Sequence, residues 1–185
     1  SDIALDSSGN IYAATGNNLV KMDANGTEIW SVSVSQVKTF AISKNGLIYA
    51  NYSADKLRVF NLDGNLTKTI TNQSIGVNAL GWGNQNTISF FPNGNFVVFG
   101  MGSQFDSNGS YLNTLRRAHN IQKVAICPDG TYFAGSIYDP NSNSEIRNMS
   151  GIYSTYDKCF AFTTNGDLVI ARGDNTIDIW TRTYR

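Results

Sequence analysis

Apolar residues come in short bursts along this chain, alternate with polar ones inside each burst, and are separated by polar, glycine-containing turns. Thr39-Phe40-Ala41-Ile42, Leu47-Ile48-Tyr49-Ala50, Lys56-Leu57-Arg58-Val59-Phe60 and Leu66-Thr67-Lys68-Thr69-Ile70 follow one another in this way. Each burst is rich in β-branched and aromatic side chains and bounded by turn residues, which predicts four consecutive strands. The same order opens the chain as Ile3-Ala4-Leu5, Ile11-Tyr12-Ala13-Ala14, Leu19-Val20-Lys21-Met22 and Thr27-Glu28-Ile29-Trp30.

The turns set a period. Gly9, Gly46, Gly94, Gly130 and Gly166 close one series of turns and lie 37, 48, 36 and 36 residues apart. A second series, at Gly26, Gly64, Gly109 and Gly151, falls between them. Asn-Gly and Asp-Gly suit two-residue type I′ hairpins, because both central residues need a positive φ that Gly adopts freely and Asn or Asp tolerates. Four antiparallel strands in about 37 residues is the arithmetic of one propeller blade. A sandwich would also give many short strands, but it would not make the turn chemistry recur in phase.

The fold expected is therefore all-β, a β-propeller of about five blades in a single domain over 1–185, with repeats near 1–36, 37–75, 76–120, 121–157 and 158–185. In the third repeat the glycine arrives late. Either residues 71–86 contain an inserted loop, or Val77 to Trp82 is the inner strand and the later turns have shifted. The last repeat ends after three strands, so its blade is expected to be incomplete, with an outer edge covered by another chain or extension. The first and fifth blades are expected to meet through their inner strands.

Asp6-Ser7-Ser8-Gly9-Asn10-Ile11-Tyr12, followed by Val20-Lys21-Met22-Asp23-Ala24-Asn25-Gly26-Thr27-Glu28-Ile29-Trp30, resembles the bacterial β-propeller repeat of secreted, surface and phage proteins. That repeat is related to quinoprotein-like and WD-type repeats, and Asp174-Asn175-Thr176-Ile177-Asp178-Ile179-Trp180 is similar to the third strand of a WD-type blade. The resemblance implies the fold more strongly than any activity, because propellers host many functions. Two departures matter. No Gly-His…Trp-Asp pattern recurs from blade to blade, and no aromatic, acidic and calcium-ligand set stands out as in a quinoprotein dehydrogenase.

Charge narrows the partners. Lys plus Arg and Asp plus Glu are both 14, without runs of like charge, so neither nucleic acid nor an anionic membrane surface is an expected partner. No apolar stretch reaches the roughly 20 residues needed to cross a bilayer, so no membrane insertion is expected. Asparagine is abundant at 22 residues, with 17 glycines, a composition for turns and strands. The two cysteines, Cys127 and Cys159, match no metal or redox spacing and are expected to be free thiols.

No catalytic set, metal site or cofactor is expected. The single histidine, His119, lies in a polar connector, and most aspartates occupy turns, where backbone geometry explains them. The six Asn-x-Ser/Thr sequons stand against roughly four expected by chance from this composition and carry no claim. Aromatic residues on polar loops are the candidates for ligand binding, since a ring offers a flat apolar face to a sugar while amides bond its hydroxyls. Trp82 with Asn84, Gln85 and Asn86 has that make-up, as does Tyr138 with Asp139, Asn141 and Asn143. Arg172-Gly173-Asp174 is a candidate adhesive turn. These features predict a non-catalytic binding or structural propeller of an extracellular, cell-surface or virion protein, such as a phage tail component, whose loops meet a glycan or protein receptor within a larger assembly. The alternatives are an intracellular, cytoplasmic WD-type interaction scaffold and a lyase or hydrolase acting on a polymer across a propeller face.

Overall fold

A computed structural model of the chain describes residues 3–34, 37, 39–53, 56–71, 87–99, 103–115, 124–134, 137–139, 141–142, 144–147, 159–171 and 176–181. Its first sheet contains β1 (Ile3–Leu5), β2 (Ile11–Thr15), β3 (Asn18–Met22) and β4 (Glu28–Ser33). The second contains β5 (Thr39–Ile42), β6 (Leu47–Ser53), β7 (Lys56–Asn61) and β8 (Leu66–Thr71). The third contains β9 (Thr87–Phe90), β10 (Phe96–Phe99), β11 (Ser103–Phe105) and β12 (Tyr111–Thr114). The fourth contains β13 (Ala125–Ile126), β14 (Tyr132–Phe133), β15 (Ile137–Tyr138) and β16 (Glu145–Arg147). The fifth contains β17 (Cys159–Phe162), β18 (Leu168–Ala171) and β19 (Ile177–Trp180). Within every sheet the strands are antiparallel and adjacent in chain order, the up-and-down blade of a β-propeller.

The repeating hairpin differs from the predicted type I′ turn. In the first, Gly9 N donates to Asp6 O and Asp6 N donates to Asn10 O, both at 3.1 Å, which encloses three residues instead of two. This is a type I turn followed by a glycine in the left-handed region, so positive φ falls on Gly9 (φ 80). The same bond pair recurs at Asp23, Ser43, Asn61, Phe91, Asp106, Cys127 and Thr163. At most of these places the first residue is Asp, Asn, Ser or Thr for a physical reason. Asp6 Oδ1, for example, accepts from Ser8 N and Asn10 N and satisfies donors that the turn leaves open.

Phase is kept through the irregular third repeat. Its inner strand is β9, with Phe90 opposite Phe96 as Ile42 is opposite Ile48, so the extra residues fall in the connection between β8 and β9. The fourth repeat corrects a different expectation. Its second hairpin is closed by Asp139 N donating to Ser144 O, and does not fall at Gly151.

Period-two alternation gives each sheet two apolar faces, and the blades stack face to face. The second residue of β2, Tyr12, packs with Leu19 on Phe40, Ile48 and Phe60 of the next blade. Tyr49, Leu57 and Val59 meet Ile88, Phe96 and Phe105. Val97 meets Tyr132 and Tyr138, and Phe133 with Ile137 meets Leu168 and Ile170. Trp30 and Trp180 contribute to the first and last of these cores, as strand positions predict. The innermost strands pack in succession, β1 on β5, β5 on β9, β9 on β13 and β13 on β17. They surround a channel of about 510 Å³ lined by the inner strands of blades two to five. Among the described residues β17 and β1 pack less closely than any of these pairs, where the first and fifth blades are expected to meet.

Candidate functional site

Both hairpins of a blade project from the same end of the stack, because the first joins strands one and two and the second joins strands three and four. That end holds the recurring three-residue glycine turns. They are also tied across blades: Lys21 Nζ and Trp30 Nε1 both donate to Leu62 O, at 3.2 and 3.1 Å, and Lys68 Nζ donates to Asn108 O at 2.7 Å.

The turn pattern breaks in two adjacent blades. Where blades one, two and five begin their first turn with Asp6, Ser43 and Thr163, blades three and four have Phe91-Pro92 and Cys127-Pro128. In blade three the first side chain of the turn is apolar, in blade four it is a thiol that still hydrogen-bonds Asp129 and Thr131 of its own turn, and in both proline fixes the next φ as a type I turn requires. The backbone survives because the second polar residue takes over: Asn93 Oδ1 accepts from Asn95 N, and Asp129 Oδ1 accepts from Thr131 N.

These two turns, with that of blade two, line a groove of about 530 Å³. Its floor is apolar and aromatic, from Tyr49, Phe90, Phe91 and Ile126, with Cys127 beside them. Tyr49 and Phe90 meet edge to face at 5.1 Å, which fixes both rings. The rim is polar, from Lys44, Asn45, Asn93 and Ser107, all exposed. Among the described residues of this lining Lys44 alone carries a charge. Burial, and then the carboxylate of Asp106, push the Tyr49 phenol above its ordinary value. Burial likewise pushes the Cys127 thiol up, so it stays protonated and is a poor nucleophile. An apolar floor under a rim of amides, hydroxyl and one amine can take a ligand that has an apolar face and polar edges.

Of the candidates read from sequence, only Tyr138, Asp139 and Asn141 are among the described residues. Trp82, Asn84, Gln85, Asn86, Asn143, His119 and Arg172-Gly173-Asp174 lie outside the described residues. Tyr138 is 3% exposed and stacks on Tyr132 with centroids 5.2 Å apart, so its ring belongs to the core between blades three and four and offers no face to a sugar. Asp139 and Asn141 are at a hairpin, where Asp139 Oδ1 accepts from Asn141 N and Ser142 N, and these bonds hold its carboxyl below the ordinary value despite some burial. Phe91 and Cys127 were missed as site residues. Their signal was available as two consecutive departures from a turn position that is otherwise polar.

Comparison of the sequence with protein-family models and with curated proteins gives no match. Solved structures do match. A protein of unknown function from Bacteroides caccae superposes with a TM-score of 0.67 at 17% identity, over 92% of this chain and 69% of that one. The WD40 β-propeller domain of Doa1 superposes with a TM-score of 0.69 at 12% identity, over 97% of this chain and 62% of that one. At such identities the likeness establishes the fold, and the chain is a β-propeller. It spans about two thirds of the length of these neighbours.

Proposed function

We propose that this chain is a non-catalytic binding propeller of an extracellular, cell-surface or virion protein, which holds a glycan or a segment of a protein receptor in the groove between the turns of blades two, three and four. The observation that carries this reading is the replacement of polar turn residues by Phe91-Pro92 and Cys127-Pro128 where the groove forms. A repeat fold departs from its own local rule where function requires it. The Asn-rich, Lys-poor sequence supports an outside location.

A second reading is an intracellular interaction scaffold, favoured by the likeness to a WD40 domain. The same groove would then hold a peptide. Labelled protein applied to a glycan array and to intact cells separates the two. Binding to either supports the first reading; silence on both, with a specific partner recovered from cytosol, supports the second. An enzyme acting on a polymer across this end would need at least two converging acids, and release of oligosaccharides or peptides from a polymer by the purified chain would establish it.

A further inference from the structure

Among the described residues, the sheet faces at the two ends of the stack lack the neighbour that every other face has. Ile48 and Ala50, Phe96 and Val98, Tyr132 and Ala134, and Leu168 and Ile170 occupy equivalent positions on the second strand of blades two to five, and each is fully covered by the preceding blade. Their counterparts in blade one, Ile11 and Ala13, are only half-buried. Beside them on β1, Ile3 and Leu5 are 74% and 64% exposed, although Val20 at the centre of that face is buried.

Blade five is the mirror case. Ile177 and Ile179 on β19 are 68% and 65% exposed, whereas Leu57 and Val59, at the same register of the third strand in blade two, are fully buried under blade three. Both end faces therefore carry the apolar alternation of an inter-blade contact. Polar outward alternation would be expected of faces meant for water.

We infer that these two faces are inter-blade interfaces, filled by about two further four-stranded blades of the same repeat on the same polypeptide, which close a ring of about seven. One added blade would present to Ile3 and Leu5 the aromatic second strand that blade one presents to blade two. The other would lay on Ile177 and Ile179 the apolar inner strand that blade three lays on Leu57 and Val59. The solved neighbours fit that count: this chain covers 69% and 62% of their lengths, and the remainder is long enough for about two or three more blades. A second copy of this chain would bring five blades to that opening, too many to fit.

The test is thiol labelling of Ile3→Cys and Ile179→Cys in the 185-residue chain, with Leu57→Cys as the covered control. Both end-face positions should label about tenfold or more faster than the control in the folded protein. Protection of both in a monomer would mean that five blades close on themselves, and protection in a stable dimer would make a second copy the occupant; either overturns the inference. In a longer polypeptide with residues 1–71 repeated after Arg185, labelling at position 179 should fall about tenfold with the product monomeric. Unchanged labelling in that folded product would contradict it. Should that product fail to fold, the pair Ile3→Asp and Ile179→Asp in the 185-residue chain still decides: unchanged melting agrees, and collapse like that of Leu57→Asp shows the faces are already covered.

Discussion

The Tyr12 hydroxyl donates to Asp6 Oδ2 at 3.0 Å, so one carboxylate joins the first turn to the core face of the second strand. Burial acts to raise the Asp6 pKa, but hydrogen bonds from Asn10, Tyr12 and Ser8 outweigh it and hold the group below its ordinary 3.8. A depressed carboxyl stabilises the fold fully above the unfolded value and loses that contribution as pH falls through the folded one. Stability should thus decline below about pH 4, with Asp139 adding to the trend. Asn61 makes the equivalent turn bonds in blade two, to Asp63 N and Asn65 N. Asp6→Asn should therefore keep most stability at pH 7 and flatten the acid limb, whereas Asp6→Ala should cost about 1–2 kcal/mol at pH 7. Urea titrations across pH measure both.

Two glycines with similar backbones should respond differently to alanine. Gly26 (φ 84) has open space where a Cβ would stand, while a Cβ on Gly109 (φ 86) would lie 2.5 Å from Ile70 Cδ1 and 2.9 Å from its Cγ1 in the neighbouring blade. Gly26→Ala should cost about 1–2 kcal/mol from the left-handed conformation alone. Gly109→Ala should cost about 1 kcal/mol or more beyond that, because Ile70 must shift within a packed interface. Equal midpoints in urea would contradict the contact.

How far the sequence went can be judged from the third strand. Met22, Phe60, Phe105, Tyr138 and Trp180 occupy one register position, opposite the start of the second strand. Phase alone therefore made Tyr138 a core residue, and reading it as a loop ring gave its polar neighbours too much weight. The blades, their order and the three strands described for the last sheet were legible because period-two alternation and glycine turns are local signals. The groove was not, since it arises from three turns that are distant in sequence and meet only when the blades stack.

Tyr138 provides a check on that point. Tyr138→Ala should destabilise by about 3–5 kcal/mol, and Asn141→Ala, at the exposed hairpin, by less than about 0.5 kcal/mol. A binding role for the Tyr138 ring would instead show as unchanged stability with lost affinity.

Cys127 is a free, buried thiol, held protonated by its surroundings. It should resist disulfide reagents in the native protein and react once the chain is unfolded, and the intact mass without reductant should show no bridge between Cys127 and Cys159. Rapid native reaction would place the thiol at the surface and remove it from the groove floor.

The most direct test of a binding propeller is to fill its groove. Ser107 is exposed on the rim, so Ser107→Trp adds a large side chain over the groove without entering the core. With the glycans or receptor-bearing cells that the wild-type protein binds, the variant should lose about tenfold or more in affinity, or at least 1.4 kcal/mol, while its melting temperature stays the same. Equal binding by a folded Ser107→Trp protein would show that the ligand sits elsewhere and would contradict the account.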